Sequence, residues 1–397
     1  MMTAKNNLKG NVCYFQSGGP TAVINSSFKG LFDYYSSLKS ATRIYVSKYG
    51  ISGLIEGELW DVTFEDFSKL TNRPGSFSGS LRKKLTENDP AYEKIIETLK
   101  KYNIRYLFAN GGNDSMDTCY KLSLLMKKTG YDCTVIGIPK TVDNDLLMTD
   151  HTPGFGSAAK YIANTVISIA VDDLSYKKGR INIIECMGRD SGYLTASASL
   201  ASLRGVKPDF IYVPEVSFDL EKEVQKWEHV YDEKGRCLVV VSEGIHSSDG
   251  TLISAQQTTD SFGNIQMGGV CSFLANRVTK DGYKSRGIEL SIPQRAGSML
   301  LSKTDVKEAL EVGKQALKKA LDGMNDVMVT IERVLQDPYL VNYGQAPLSQ
   351  VSGLAASLKK SFINKEGDNI TDEFLDYCLP LISGEMNSMA EDGLLDI

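Results

Sequence analysis

Two aspartates separated by one residue, Asp143 and Asp145, follow a lysine in the segment PKTVDND, residues 139–145. On an extended segment, side chains two residues apart point to the same side. Two carboxylates on one side can bind Mg2+, or one can bind the metal while the other accepts a proton. The alternative is an Asx-turn, in which the aspartates cap the following helix. Together with nearby glycine-rich loops, the segment favours phosphoryl transfer over a turn alone.

A second segment with residues that could bind a ligand is GGNDSMD, residues 111–117, which follows the apolar run YLFA. Two glycines between a strand and a helix allow an anion to approach and bind the backbone N–H groups at the start of the helix. Asp114 stands where the helix begins and would repel the same anion. Taken alone, Asp114 is more often a helix N-cap, and Lys140 alone is more often a solvent-exposed side chain. From the residues of these two segments alone, both alternatives stay open.

The elements that must position these residues alternate along the chain. Short apolar runs predict buried strands at residues 11–15, 43–47, 105–109, 133–138, 181–187, 209–213 and 237–244. Helical periodicity predicts helices at residues 20–36, 90–102, 115–129, 157–175, 190–203, 219–231 and 265–279. Such alternation is typical of parallel sheets with helices on both faces.

The loops that follow the predicted strands are chemically similar to one another. Five of them carry Gly, Asp, Glu, Lys or Arg, namely QSGGPTAVIN, NGGNDS, PKTVDND, CMGRDSG and SEG. In open parallel sheets, ligands bind beyond the carboxyl ends of the strands. Any one loop could be a simple turn, but turns that only connect elements do not need carboxylates and cations together. The first loop lacks GxGxxG, so a dinucleotide oxidoreductase is disfavoured.

Composition and charge limit the number of domains, the partners and the location that the protein can have. The 397 residues favour two domains, and the formal charge of 44 minus 49, or -5, indicates no nucleic-acid or membrane partner. No apolar run reaches the roughly 18 residues that cross a bilayer, and the polar start MMTAKNNLKG has no signal-peptide core. The seven cysteines include no CxxC pair, which predicts structural thiols in a reducing cytoplasm. The chain has only three histidines, so a histidine-based metal site or a Ser-His-Asp catalytic triad is disfavoured.

The segments SGGPTAVIN, GGNDS, PKTVDND, MGR, SEG and QR occur in an order and spacing that resemble the phosphofructokinases, specifically their pyrophosphate-dependent branch. The resemblance covers roughly residues 11–300. It implies an α/β fold of two Rossmann-like domains, with mostly parallel sheets, helices on both faces and the active site in the cleft between the domains. A phosphate-donor domain would comprise 1–154 and about 296–345, and a sugar-phosphate domain 155–295 and about 346–397.

The resemblance implies roles for the residues near the phosphate donor. Asp143 would be the general base that takes the proton of the C1 hydroxyl of fructose 6-phosphate, and Thr141 would offer its hydroxyl to the transferring group. Asp145 would orient the metal or the base. The implied catalytic set is Asp143, Lys140, Asp114, Thr141 and Arg189, and the implied donor-binding set is Gly18, Gly112, Asp114, Lys140 and Arg82.

For the sugar phosphate, the resemblance implies that Met187 packs against the substrate and that Glu243 accepts hydrogen bonds from its hydroxyls. Arg180 and Arg286 would reach the 6-phosphate from a neighbouring subunit, which implies a homodimer or homotetramer with a shared active site. A guanidinium suits a phosphate dianion, although a lone arginine can equally form a surface ion pair. The substrate-binding set is Thr141, Val142, Asp143, Arg180, Met187, Gly188, Arg189, Glu243, Arg286, Ile292, Gln294 and Arg295.

The position of Asp114 bears on the identity of the donor. In family members that use ATP this position is small, because the α-phosphate of the nucleotide passes close by. Two unit charges ~4 Å apart repel by about 4 kcal/mol at a surface-like dielectric, which corresponds to roughly three decades of affinity. Pyrophosphate has no α-phosphate and escapes this repulsion. Lys140, where ATP-using members commonly have glycine, would bind pyrophosphate and stabilise the transition state.

Two positions depart from the family pattern. Asn113 stands where an aspartate commonly helps to bind Mg2+, and a neutral carbonyl is a poorer ligand than a carboxylate. The implied metal-binding residues are therefore Asn113 and Asp145, with Asp114 able to share the duty. Ile292 stands where many members have histidine or tyrosine, so one polar contact to the sugar phosphate is absent.

The resemblance implies Mg2+-dependent, readily reversible phosphoryl transfer from pyrophosphate to fructose 6-phosphate, in the cytoplasm, with no nucleic-acid or membrane partner. Two alternatives stay open: an ATP-dependent 6-phosphofructokinase of the same fold, and a non-catalytic sugar-phosphate sensor. Near the C-terminus, residues 347–362 and 366–382 are each expected to contain a helix, and the second of these to pack on the second domain.

Overall fold

A computed structural model describes residues 8–86, 88–253, 269–386 and 392–395 of the chain. The chain divides into two compact units. The first unit comprises Met1–Ser157, Ala296–Ala355 and Gly384–Ile397, and the second comprises Ala158–Arg295 and Ala356–Ser383. Neither unit is therefore one continuous stretch of sequence.

The strands and helices follow one another in alternation. In chain order the strands are β1 (Asn11–Gln16), β2 (Ile44–Ser47), β3 (Leu59–Asp61), β4 (Ile104–Gly111), β5 (Thr134–Pro139), β6 (Ile181–Cys186), β7 (Phe210–Tyr212), β8 (Cys237–Ser242), β9 (Ser285–Glu289), β10 (Val327–Leu335) and β11 (Leu340–Pro347). The helices are α1 (Ile24–Ser37), α2 (Ile51–Glu56), α3 (Ala91–Lys101), α4 (Asn113–Thr129), α5 (Phe155–Leu174), α6 (Tyr193–Ala196), α7 (Leu220–Lys234), α8 (Val270–Lys280), α9 (Ser291–Ala296), α10 (Lys303–Leu321), α11 (Leu348–Val351) and α12 (Asp372–Cys378). Short 3-10 turns lie at residues 70–72, 197–204, 298–300, 360–362 and 379–382.

The first unit is built on a seven-stranded sheet in the order β11-β10-β5-β4-β1-β2-β3. Its central pairs β10–β5, β5–β4, β4–β1 and β1–β2 are parallel, and the outer pairs β10–β11 and β2–β3 are antiparallel. Because β5, β4 and β1 are neighbours and run in the same direction, the loops that leave their carboxyl ends lie at one edge of the sheet.

Apolar side chains of this sheet are buried on both faces. On β1, Val12 and Tyr14 pack with helices α1 and α10, whereas Cys13 and Phe15 pack with helices α3 and α4. Alternate residues of a strand point to opposite faces, so a strand covered on both sides must be apolar at every position. That requirement explains why NVCYF is a continuous apolar run.

The second unit contains a four-stranded, all-parallel sheet in the order β7-β8-β6-β9. Strand β6 (Ile181–Cys186) is paired with β8 over all six of its residues and is buried throughout. The carboxyl ends of β6, β8 and β9 lead into the segments that begin at Met187, Glu243 and Leu290. The mostly parallel α/β architecture predicted from the sequence is confirmed.

The C-terminal segments differ from the sequence-based expectation. Residues 347–362 form no long helix: they contain the single turn α11, which packs on α4, and the 3-10 turn at 360–362. After α11, the Ser352 hydroxyl donates a hydrogen bond to Asp117 at 3.0 Å. Residues 346–355 therefore belong to the first unit, as does Gly384 onward, where Glu385 pairs with Ser302. Helix α12 occurs as expected in the second unit, and its Phe374 ring lies 6.5 Å from the ring of Tyr193.

Two other expectations can be compared with the structure. All seven cysteines have free thiols and are buried, in agreement with a structural role. Among the helices of the described residues, none combines the length and the apolar character that a bilayer-spanning segment needs.

Candidate active site

Lys140 joins two of the predicted donor loops in the first unit. It directly follows β5, and its backbone N–H donates to the carbonyl of Gly111 at 3.1 Å. Its side chain is buried, and Nζ donates to the carbonyl of Gly19 at 2.8 Å. The position that a Cβ of Gly18 would occupy is 3.4 Å from the same Nζ. Lys140, Gly18 and Gly112, which precedes α4, therefore meet at one sheet edge.

The segment that contains Arg82 lies beside the first glycine loop. Leu81 forms a parallel bridge with Ser17, and the Ser80 hydroxyl donates to the carbonyl of Gly18 at 2.6 Å. Arg82 is exposed immediately after this bridge. The backbone next to Arg82 therefore lies beside the first glycine loop, and a role of Arg82 in donor binding stays a prediction.

Asn113 and Asp145, the predicted metal-binding residues, are in direct contact. The Asn113 Nδ2 donates to Oδ2 of Asp145 at 2.7 Å. The remaining side-chain oxygens, Oδ1 of each residue, are buried and make no hydrogen bond. Burial raises the pKa of Asp145, although Thr141, Lys140 and Asn113 oppose this rise. Buried oxygens that accept no hydrogen bond, on two side chains that contact each other, are suitable ligands for a hard cation.

A cation bound by Asn113 and Asp145 would need further oxygen ligands, beyond the carboxylates of the protein. Among the described residues, no three His, Cys, Asp or Glu side chains are grouped so that they could bind a metal ion. Mg2+ is commonly bound by one or two carboxylates together with waters and substrate phosphates. The pair of Asn113 and Asp145, with one carboxylate, fits this mode of binding.

The rest of the PKTVDND loop is held in a defined conformation. The N–H of Asp143 donates to the Thr141 hydroxyl at 3.2 Å, and Thr141 and Val142 are buried while Asp143 is half-buried. Asn144 has a positive φ of 58°, which asparagine tolerates better than most residues. The Asn144 Oδ1 accepts a hydrogen bond from the Thr152 N–H at 2.9 Å. Thr141 and Asn144 therefore both contribute side-chain contacts that hold the turn.

Asp114 lies in the first turn of α4, but the N-cap is Gly112, so the capping alternative is wrong. The Asp114 side chain is 79% exposed, and its Oδ1 lies 3.2 Å from Nζ of Lys84. Lys84 was missed in the sequence analysis, and the only signal for it is its place two residues after Arg82. Solvent and Lys84 both screen the Asp114 charge, so its repulsion of a nearby phosphate falls to about 1 kcal/mol at ~4 Å.

In the second unit, four predicted substrate-binding residues contact one another. The N–H of Met187 donates to Gln294 Oε1, and the N–H of Gly188 donates to Glu243 Oε1, both at 3.1 Å. Burial raises the pKa of Glu243, and the N–H of Gly188 and the charge of Arg189 oppose that rise. These contacts connect the loops after β6 and β8 with helix α9, which also contains Arg295 and the exposed Ile292.

Arg180 and Arg286 are not part of this group. Arg180 precedes the first residue of β6, and Arg286 on β9 is paired with Asn182 of β6, so both lie at the amino end of the sheet. Both arginines line one cavity of about 280 Å3. Met187 follows the other end of β6, which is roughly 20 Å away for a strand of this length. Within one chain, these two arginines therefore lie far from the residues around Met187.

Comparison with known proteins identifies the family of the chain. Residues 11–319 match the family model described as Phosphofructokinase. The chain is 41% identical over 400 residues to a pyrophosphate–fructose 6-phosphate 1-phosphotransferase of Xanthomonas campestris, covering 97% of this chain and 94% of that protein. A protein of the same name from Halomonas elongata is 39% identical over 395 residues, with the same coverage.

A solved structure shows the same fold. The pyrophosphate-dependent phosphofructokinase of Nitrosospira multiformis superimposes with a TM-score of 0.89 at 38% identity, covering 98% of this chain and 96% of that one. The two α/β units, with glycine and carboxylate loops at the ends of parallel strands, are those of a phosphoryl-transfer enzyme. The chain belongs to the phosphofructokinase family.

Proposed function

We propose that the protein catalyses the reversible transfer of a phosphoryl group from inorganic pyrophosphate to the C1 hydroxyl of fructose 6-phosphate. The observation that supports this donor most directly is Lys140, whose buried ammonium group reaches the glycine loop and stands beside the segment of Asp143. A fixed ammonium group at this place compensates the charge of a compact diphosphate. The names of the Xanthomonas and Halomonas relatives support the same donor and acceptor.

The proposed reaction needs one proton acceptor. The C1 oxygen of the sugar forms a bond to the terminal phosphorus of pyrophosphate, and the bond from that phosphorus to the bridging oxygen breaks. The proton of the C1 hydroxyl moves to the carboxylate of Asp143, and inorganic phosphate leaves. Lys140, Arg82 and the N–H groups around Gly18 stabilise the phosphate charge, and the Thr141 hydroxyl orients the transferring group.

The proposed cofactor is Mg2+, and Asn113 and Asp145 would hold it through their two buried oxygens. When bound, the cation would neutralise phosphate charge during transfer. Asn113 replaces one carboxylate with a carbonyl, so this pair contributes a single negative charge to the site. We therefore expect a higher half-saturating Mg2+ concentration than in a site with two aspartates, because one negative charge attracts the cation less strongly than two.

We propose that the second unit binds the sugar phosphate through Met187, Gly188, Arg189, Glu243, Gln294 and Arg295. Arg180 and Arg286 would serve the corresponding site of a neighbouring subunit, since they lie at the opposite end of their own sheet. Under this proposal the enzyme works as a homo-oligomer, dimeric or tetrameric. The seven free buried thiols support a location in the reducing cytoplasm.

A donor assay tests the proposal. The purified chain is given Mg2+ and fructose 6-phosphate, with either pyrophosphate or ATP at equal concentration, and fructose 1,6-bisphosphate is measured over time. We expect turnover with pyrophosphate to exceed turnover with ATP by at least about a hundredfold, and phosphate plus fructose 1,6-bisphosphate to give pyrophosphate. Faster turnover with ATP would replace the proposal with an ATP-dependent phosphofructokinase.

The variant Asp143→Ser separates an enzyme from a sugar-phosphate sensor. Loss of the base should reduce kcat by about 10²–10⁴-fold, because proton transfer to a positioned group contributes that much. Calorimetry should show fructose 6-phosphate binding within about threefold of wild type, since binding does not need the base. Asp132→Ser, at an exposed position, is the matched control and should leave kcat unchanged. Unchanged turnover in Asp143→Ser would rule out this residue as the base.

A further inference from the structure

The segment after the PKTVDND loop turns back and lies against it. The Thr152 hydroxyl donates to the carbonyl of Thr141 at 2.7 Å, and the Thr152 N–H donates to Asn144 Oδ1. Thr141 also forms a parallel bridge with Gly154. Thr141, Asn144 and Thr152 are buried. The conformation of the loop around Asp143 therefore depends on where residues 150–154 are held, and we call these residues the return segment.

Helix α10 holds the return segment through two carboxylates one turn apart. Asp305 accepts hydrogen bonds from the N–H groups of Gly154 at 2.8 Å and Ser157 at 2.9 Å. Glu308 accepts at Oε2 from Nε2 of His151 at 2.7 Å. Both carboxylates are buried, at 4% and 3% exposure. A buried carboxylate with fixed partners gives strong, directional contacts.

His151 sits between two acids. Its Nδ1 lies 2.8 Å from Oδ1 of Asp150, its Nε2 bonds to Glu308, and only 3% of the residue is exposed. A neutral imidazole has one N–H donor, whereas the imidazolium has two. Because both ring nitrogens face carboxylate oxygens, the imidazolium can donate to both of them, whereas a neutral ring can donate to only one.

The groups around this pair of contacts are also charged or polar. Arg333 on β10 donates to Asp150 Oδ1 from Nη2 at 2.9 Å and from Nε at 3.1 Å. The hydroxyl of Tyr339, which lies between β10 and β11, donates to Glu308 Oε1 at 2.7 Å. Lys307, Glu311 and Tyr343 line the same cavity as Glu308 and Tyr339. Asp150 therefore has His151 and Arg333 as partners, and Glu308 has His151 and Tyr339. Removing the His151 proton would leave one ring lone pair facing an anion.

We propose that His151, in its protonated form, is a positioning residue for the proposed phosphoryl transfer. It fixes the return segment to α10 and thereby fixes the loop that presents Thr141, Asp143 and Asp145. This role rests on the proposed function, because the loop matters for catalysis only if Asp143 and its neighbours act on the substrates. His151 itself is separated from the loop by the contacts of Thr152, so it acts through other residues.

The proposal has a pH dependence with a definite sign. Burial by itself lowers the pKa of His151, but the charge of Glu308 and the contact with Asp150 overcome this and raise it to about 9. The stabilisation from the imidazolium is fully present below the unfolded-state pKa of about 6.5 and is lost as the pH rises through about 9. Activity should therefore fall on the alkaline side as the loop loses its support.

The central experiment compares His151→Gln with His229→Gln, an exposed histidine on α7. We expect His151→Gln to lower kcat by about tenfold or more while KM for fructose 6-phosphate stays within about twofold, because Met187, Glu243 and Gln294 are positioned by the second unit. From about pH 6 to pH 10, wild type should show an alkaline fall in kcat near pH 9, and His151→Gln should show a flat profile there. His229→Gln should behave like wild type.

A second variant tests the pairing with Glu308. In His151→Gln the Glu308 carboxylate has lost its cationic partner, so adding Glu308→Gln should cost less in this background than in wild type. Fully additive losses in kcat would contradict a shared role of the two residues.

Hydrogen exchange provides a readout that does not depend on activity. In His151→Gln at pH 7, amides within residues 141–154 should exchange at least about tenfold faster than in wild type, with little change in β6 and β8. If the variant only lowers the melting temperature, while kcat, its alkaline profile and the exchange at 141–154 match wild type, the positioning role is wrong. A wild-type protein inactive with pyrophosphate would instead overturn the proposed function, and the exchange comparison would still test His151.

Discussion

Asp114 and Lys84 form an exposed ion pair at the start of α4, and this pair changes what the Asp114 charge can do. A carboxylate that is 79% exposed and 3.2 Å from an ammonium group repels a phosphate far less than an isolated buried one. The discrimination of about three decades expected from charge alone is therefore too large. The volume of the side chain must supply part of any exclusion of the nucleotide.

Two substitutions at this position separate charge from volume. Asp114→Asn removes the charge and keeps the size, so kcat/KM for ATP should rise by about fivefold, which corresponds to ~1 kcal/mol. Asp114→Gly removes both and should raise it further, with some loss of activity with pyrophosphate. The measurement is kcat/KM for each donor, and Asp132→Gly, at an exposed position, is the control. The same ratio of donors in Asp114→Gly and wild type would refute exclusion at this residue.

At the scale of elements, the start of α5 and the whole of α10 are joined by Asp305. The first N–H groups of a helix have no partner within the helix, and Asp305 accepts those of Gly154 and Ser157. Asp305 is itself near the beginning of α10, where the Ser302 hydroxyl accepts from its N–H at 3.3 Å. One buried carboxylate of α10 therefore accepts hydrogen bonds from two backbone N–H groups at the start of α5.

Asp305→Asn tests this connection. An amide offers one oxygen where the carboxylate offers two, so one buried N–H loses its acceptor and faces an NH2 group instead. We expect the free energy of unfolding to fall by about 1–3 kcal/mol, measured by urea denaturation at pH 7.5. Asp322→Asn, exposed at the other end of α10, should change it by less than ~0.5 kcal/mol. Equal effects of the two substitutions would show that Asp305 is not a special acceptor.

At the scale of the whole molecule, Arg180 and Arg286 lie at the amino end of the second sheet, away from the loops that contain Met187, Glu243 and Gln294. An arginine pair that lines a cavity at that end can bind an anion, but not one held by the loops at the other end of the same strands. A neighbouring subunit would resolve this separation, because a two-fold interface presents the same surface to its partner.

Mixed oligomers test whether the site is shared. Asp143→Ser and Arg286→Ala should each be nearly inactive alone, but chains mixed at random in pairs should recover about a quarter of wild-type activity, because half of the pairs contain one intact site of two. Mixing Asp143→Ser with Lys140→Met is the matched control and should recover nothing, since both changes affect the same half of the site. No recovery in the first mixture would show that each chain supplies its own Arg286.

The sequence by itself determined the alternation of strands and helices, because strands buried on both faces must be apolar and their flanking loops polar. It also located the chemistry within short segments: Lys140, Asp143 and Asp145 were candidates from residue type and spacing in PKTVDND, and the resemblance to the phosphofructokinases added Gly18 and Asn113. Contacts within such a segment, or between neighbouring parallel strands, follow from local geometry and strand direction.

Only the tertiary structure decided the contacts between distant segments. Lys84 with Asp114, His151 with Glu308, and Gly154 with Asp305 each join parts of the chain whose spacing no local pattern specifies. Helix α10 and strands β9 to β11 received no assignment from the sequence, yet α10 supplies both carboxylates that hold the return segment. Charge and hydrogen bonding depend on distance in space, and that distance is set by how the elements pack.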